Sequence, residues 1–258
     1  MALIKKLRPV AGVLGCCFLL CGCKANYSMA SYEGGRYTIN ANYDIHQDPE
    51  ALTLLAPYKK TVDSLMSPVI GHSDHLLTVK RPESELSNLT ADILRFATAD
   101  YIGRVADIGI MNMGGLRSSL PAGEITFETI YEITPFENTL CIIEMTGKDV
   151  RRLFEDMARV HGEGLSGAQL VISKDGKLLD AKVGGQELDD DRTYTVSTID
   201  YLAEGNDHLD TFRKFKDSDK LMPKGAKIRQ LLLNYVTAME KQGKTVNAKI
   251  EGRTTIKD

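Results

Sequence analysis

The chain has 258 residues, 43% hydrophobic and 26% charged, an ordinary globular balance sized for one or two domains. Its formal net charge of −3 excludes the basic surface that binding to a nucleic-acid polymer requires, and tryptophan is absent.

The first residues read as a targeting segment. Lys5, Lys6 and Arg8 make a positive start, and Val10 to Leu20 is an apolar run too short to span a membrane as a mature helix. It ends in Leu20-Cys21-Gly22-Cys23, which resembles a bacterial lipobox. That reading makes residues 1–22 a lipoprotein signal peptide and puts acyl chains on Cys23. Several chains anchor stably where one does not. The expected location is the bacterial cell envelope, lipid-anchored on the periplasmic or surface side. An ordinary cleaved signal peptide and a signal-anchor are the alternatives. Cys16, Cys17 and Cys21 then leave with the signal. Cys141 remains in an apolar stretch, which suits a buried core thiol and allows no disulfide.

Residues 23–42 are polar and read as a tether, with a short strand at Arg36–Asn40; residues 43–258 form the domain. Asp48-Pro49-Glu50 is a helix start: a capping carboxylate, a proline in the first turn, an acid at the positive end of the dipole. Leu55, Tyr58, Val62 and Leu65 follow at helical spacing, with Pro57 inside the pattern. Val69–Val79 reads as extended. Leu86, Leu89, Ile93, Phe96 and Ala97 form the apolar face of a second helix. Thr139–Met145 is a nearly continuous apolar strand, expected to be buried on both faces. Thr146-Gly147-Lys148-Asp149 caps a third helix with the core stripe Val150, Leu153, Phe154 and Met157. His161–Gly167 reads as a glycine-rich loop. Ala168–Ser173 and Leu178–Val183 flank a Lys-Asp-Gly-Lys turn as a hairpin. Tyr194, Val196 and Thr198 alternate as a strand. Ile228, Leu231, Leu232, Tyr235, Val236 and Met239 mark a last helix, and Gly252-Arg253-Thr254 begins a polar tail.

The chemistry concentrates in Asp107–Thr139. A short strand ends at Asn112-Met113-Gly114-Gly115-Leu116-Arg117, where a glycine pair permits a sharp turn and close approach of a ligand. Arg117 is a rigid fork of donors for carboxylate, phosphate or hydroxyl groups. Further on, Pro135-Phe136-Glu137-Asn138-Thr139 places an aromatic ring beside an amide. Taken with Gly123-Glu124-Ile125-Thr126 between them, these strings resemble the C-terminal, substrate-binding domain of the 5'-nucleotidase/UDP-sugar hydrolase family, from about Asp48 to the end of the chain.

The resemblance implies an α+β fold, a mixed β-sheet core covered by helices. It implies a nucleotide or nucleoside ligand with its base between Phe136 and Tyr201, Asn138 on the base edge, and Asn112 and Arg117 toward sugar or phosphate. Tyr201-Leu202-Ala203-Glu204-Gly205-Asn206-Asp207-His208 resembles the family's F-L-A-x-G-G-D-G, so Asp207 is expected to accept from ribose hydroxyls. Asn206 and His208 replace glycines; a left-handed backbone there would suit His208 less than Asn206. Arg81, before the second helix, matches an arginine that the family offers to substrate; otherwise it is a solvated charge. The His161–Gly167 loop is expected to border the ligand, or to be a plain connector. Taken alone, Phe136 and Tyr201 read as core residues.

The catalytic half of such an enzyme is not legible here. Asp44-Ile45-His46 is a lone D-x-H, and Gly71-His72-Ser73-Asp74-His75 adds two histidines without the further ligand runs a two-metal centre needs. No metal or other cofactor is expected in this chain. The simplest expectation is a recognition half whose two divalent metals sit in a separate metallophosphatase chain. A stand-alone nucleotide-binding lipoprotein is the alternative.

Overall fold

A computed structural model describes residues 29–257, without the side chains of Asp44 and His46. The signal peptide, Cys23 and the side chains of the D-x-H lie outside the described residues. The chain divides into two compact units, residues 1–53 and 54–258. In the first, residues 29–40 have no regular structure, so the strand expected at Arg36–Asn40 does not form. A 3-10 turn follows at Ala41–His46, closed by Asn40 accepting from the Asn42 amide at 3.0 Å. Among the described residues no helix is long and apolar enough to cross a membrane.

Helix α1 (Pro49–Met66) begins at the expected place, with Asp48 accepting from the Glu50 amide at 2.9 Å. Pro57 lies within it. Its apolar stripe does not reach a core: Leu55, Tyr58, Val62 and Leu65 are all more than half exposed, at 57%, 67%, 51% and 62%. Helical spacing identifies an apolar face but not what covers it.

The second unit is α+β, with helices packed on mixed sheets. Five strands lie in the order β10-β4-β9-β2-β5: Lys220–Leu221, Leu140–Thr146, Thr193–Ile199, Ile108–Met111 and Gly164–Ser166. Strands β2 and β9 are parallel, while β4 is antiparallel to β9 and β5 to β2. A second sheet has the order β11-β6-β7-β8: Thr254–Lys257, Ala168–Ser173, Leu178–Val183 and Gln186–Glu187. A two-stranded pair joins β1 (Val69–Ser73) to β3 (Gly123–Thr126).

Helix α2 (Glu85–Ala97) packs on β2 and β5, with Leu86, Leu89 and Ile93 buried; Phe96, expected on that face, is exposed. A short helix, α3 (Phe127–Ile133), follows β3. Helix α4 (Gly147–Arg159) touches strands of both larger sheets. Its cap forms as read from the sequence: Thr146 accepts from the Asp149 amide at 3.3 Å and donates to the Asp149 carboxylate at 2.8 Å. Val150, Leu153, Phe154 and Met157 are fully buried. Helix α5 (Ile228–Lys241) buries Ile228, Leu232 and Val236.

Three local expectations change. Strand β9 does not alternate; every residue from Tyr194 to Ile199 is buried, because the strand is central in its sheet and both α2 and α4 pack on it. The His161–Gly167 stretch is not all loop, since Gly164–Ser166 is an edge strand held against β2. The polar tail ends as β11, parallel to β6. The hairpin β6–β7 and the buried Cys141 stand as read, and burial pushes the Cys141 thiol up to about 12.

Candidate functional site

The register of the five-stranded sheet gathers the site. Leu140 pairs with Ile199 across β4 and β9, so the residues before β4 and those after β9 emerge at one end of the sheet. Strand β2 runs parallel to β9, with Ile108 opposite Val196, so it also delivers its following residues there. Phe136 and Asn138 therefore meet Tyr201, Asp207 and Asn112, although nearly a hundred positions separate Asn112 from Asp207 in sequence. With Arg117 these residues line one cavity of about 480 Å³, whose remaining wall is Gly114 and Gly115.

One wall is a polar network. Asp207 accepts from the Tyr201 hydroxyl at 2.9 Å through Oδ1 and from Asn112 Nδ2 at 2.7 Å through Oδ2. The Asp207 contact holds the Tyr201 phenol above its usual range. Asn112 is buried, and its Oδ1 has no hydrogen-bond partner among the described residues. The glycine pair lies in a sharp turn, as expected, a 3-10 turn at Met113–Gly115. Neither Gly114 nor Gly115 has a positive φ. A Cβ on Gly115 would lie 2.6 Å from Asn112 Oδ1, so glycine there leaves room for the amide. The left-handed residues of the 201–208 segment are Gly205, Asp207 and His208, with φ of 79°, 53° and 64°. The strain expected at His208 is present; Asn206 is not left-handed and instead donates to the Tyr201 carbonyl at 2.8 Å.

The other wall is Phe136. Its ring is half exposed, at 50%, and Tyr201 is 39% exposed, so neither is a core residue. The ring contact between Phe127 and Tyr131 is the only one among the described residues, so Phe136 and Tyr201 do not stack on each other. The Phe136 loop is held from behind by Arg229 of α5, a buried residue. Its Nε donates to the Thr134 carbonyl at 2.9 Å and its Nη2 to the Pro135 carbonyl at 2.6 Å. Its Nη1 meets Glu137, and its guanidinium lies 4.0 Å from the centre of the Tyr131 ring. Lys227 and then Arg229 hold the Glu137 carboxyl below the usual carboxylate range.

Arg117 is exposed; its Nη1 donates to the Gly114 carbonyl at 3.2 Å, and no carboxylate pairs with it among the described residues. Asn138 is half-buried, with its backbone carbonyl fixed by the Ile228 amide at 3.0 Å. These two side chains are the most available polar groups at the cavity.

Arg81 is elsewhere. It does not line the cavity but donates through Nε to the Gly162 carbonyl at 2.8 Å and pairs through Nη2 with Glu163. The His161–Gly167 stretch does not line the cavity either; it stands behind the Asn112–Arg117 turn, where Glu163 accepts from the Met113 amide at 2.5 Å. Sequence reading missed both Glu163 and Arg229. The only signal was, for Glu163, a charge inside a glycine-rich segment.

A larger cavity, about 770 Å³, lies between α2 and α5 beside the 247–253 segment. Three of its charged groups are already paired: Arg253 holds Asp92 at 2.8 and 2.9 Å and Glu251 at 2.7 Å. Size alone does not make it the site. The smaller cavity collects the exposed aromatic rings, an arginine without a carboxylate partner and an unpartnered buried acceptor, which suits a polar ligand with a flat ring. Among the described residues no group of three or more His, Cys, Asp or Glu side chains is placed to hold a metal ion.

The comparisons with known proteins converge on one group. The family model described as the 5'-nucleotidase C-terminal domain matches residues 69–216. The protein UshA of Escherichia coli is 29% identical over 170 residues, which are 64% of this chain and 30% of that protein. A 5'-nucleotidase of Vibrio cholerae is 28% identical over 211 residues, 80% of this chain and 37% of its own length. Among solved structures, a 5'-nucleotidase precursor from Thermus thermophilus is similar with a TM-score of 0.70 and 26% identity, over 80% of this chain and 43% of that one. The chain thus spans roughly a third of the length of these curated relatives.

Proposed function

Because the chain belongs to the 5'-nucleotidase C-terminal-domain family, we propose that it is the nucleotide- or nucleoside-recognition half of a 5'-nucleotidase-type phosphohydrolase. The observation that carries this reading is the single cavity lined by Asn112, Arg117, Phe136, Asn138, Tyr201 and Asp207. Phe136 and Tyr201 hold the base, stacking of that kind contributing about 1–3 kcal/mol per base. Asn138 reads the base edge. Asp207 already accepts two hydrogen bonds, and its remaining lone pairs take ribose hydroxyls. Arg117 meets phosphate as a fork of charged donors.

Hydrolysis needs the part of the relatives that this chain does not span. A separate metallophosphatase chain supplies two divalent metals, which activate water against phosphorus. Lipid on Cys23 holds the assembly at the cell envelope. Arg81 acts behind the cavity, through Glu163, rather than on the ligand.

Calorimetry of AMP and adenosine on the full 258-residue chain tests the recognition step. About micromolar binding that Phe136→Ala weakens is the expected result. Absence of binding by both ligands sinks the reading. The alternative is a stand-alone nucleotide- or nucleoside-binding lipoprotein without catalysis, favoured by a cavity whose groups all come from one chain. Phosphate release from AMP when a metallophosphatase chain is added decides for the first reading; unchanged AMP with intact binding decides for the second.

A further inference from the structure

We propose that Glu163, charge-balanced by Arg81, is a positioning residue for the ligand cavity: it fixes the Met113–Gly115 turn that carries Asn112 on one side and Arg117 on the other. The proposal rests on the cavity being the nucleoside site.

Several observations meet at this residue. The Glu163 side chain has no exposed surface, and a carboxylate is kept in such a place only where partners replace its water. Glu163 has two such partners. One oxygen accepts from the Met113 backbone amide at 2.5 Å and the other from Arg81. Met113 is itself buried, so without Glu163 its amide would be left without an acceptor. The rest of the turn is tied by its own backbone, Gly115 N–H to the Asn112 carbonyl at 3.2 Å and Leu116 N–H to the Met113 carbonyl at 3.1 Å. Glu163 is therefore the side chain that docks the Met113 end of the turn against the strand next to β2, while the Arg117 amide is tied to the Ile133 carbonyl at 2.9 Å.

The sheet explains why a residue so distant in sequence reaches it. Gly164 pairs with Met111, so the residue before β5 sits beside the residues after β2. Gly162 makes the approach possible: its φ is 99°, and a Cβ there would lie 2.4 Å from the Pro82 carbonyl oxygen. Arg81, next to Pro82, is thereby brought onto Glu163. Burial pushes the Glu163 carboxyl above its ordinary range. The Met113 amide and Arg81 pull it down, and the charge of Asp207 across the cavity wall pushes it up.

Amide hydrogen exchange on the full chain, with adenosine calorimetry from pH 4.5 to 8, tests this. In Glu163→Ala the Met113 amide exchanges at least about tenfold faster while β4 amides are unchanged. Adenosine then binds about tenfold more weakly or worse, because the cavity groups are displaced rather than removed. Glu163→Gln keeps an acceptor oxygen and recovers most of that affinity. Arg81→Gln moves the acid limb of adenosine binding up by about one pH unit, since a buried carboxyl that loses its cation protonates earlier. The double variant with Glu163→Gln lacks that movement. Unchanged Met113 exchange in Glu163→Ala overturns the proposal, as does an Arg81→Gln profile that superimposes on the parent. If Glu163→Ala does not fold, the Arg81→Gln profile decides. If the parent chain binds no adenosine, the nucleoside reading fails, and Met113 exchange still decides whether Glu163 holds the turn.

Discussion

The two walls of the cavity are held in opposite ways. Phe136 sits on a loop gripped from outside, by an arginine that never faces the cavity. Tyr201 is held by Asp207, which Asn112 also engages, and all three line the cavity themselves. At the first wall, holding the loop and lining the cavity belong to different residues. At the second they belong to the same ones. Substituting the cavity-lining residue should therefore leave stability intact at the Phe136 wall and lower stability and binding together at the Tyr201 wall.

The largest effect is expected from Arg229→Met. It strips the Thr134 and Pro135 carbonyls of a charged donor and should cost about 2–3 kcal/mol in urea unfolding, with adenosine binding lost as the loop relaxes. A variant as stable as the parent would mean that the loop holds itself. Asp207→Ala comes next, because it leaves the buried Asn112 amide without an acceptor. It should cost about 1–3 kcal/mol and weaken adenosine together with stability; binding lost at full stability would separate two roles that the structure joins. Phe136→Ala should leave unfolding within about 0.5 kcal/mol, as an exposed ring does. Its adenosine affinity should fall about 5- to 150-fold, the stacking contribution alone. Tyr201→Phe is the smallest: the ring stays, and affinity near neutral pH should change less than about threefold. The Tyr201 phenol is held above its usual value by donating to Asp207, so its contribution is present at neutral pH and is lost only as pH rises through that raised value. Adenosine titrations at rising alkaline pH should show a fall in the parent that the variant lacks.

The same contrast between local pattern and tertiary use runs through the fold. Helices α1 and α2 both announce themselves by apolar residues at helical spacing. Leu89 and Ile93 of α2 are buried against the sheet and its neighbours, while Leu55 and Val62 of α1 are exposed. Periodicity depends on a side chain's own helix and is legible; burial depends on what arrives from elsewhere. The site divides likewise. Phe136, Asn112 and Arg117 could be picked out because each stands in a short string that resembles the family's; taken alone, Phe136 reads as a core residue. Glu163 and Arg229 could not, because an acid after His161-Gly162 and an arginine opening a helix look like solvated charges until their partners are known.

The sequence alone determined the start of α1, the Thr146 cap of α4, the β6–β7 hairpin, the family and six of the cavity residues, because caps, turns and motif strings are fixed by neighbours a few positions away. Only the tertiary structure decided that Arg81 backs the cavity instead of entering it, that β9 is buried from Tyr194 to Ile199, and that two buried charges hold the cavity-lining loops. Those outcomes depend on strand order and register, which join residues fifty to a hundred positions apart and leave no mark in either local segment.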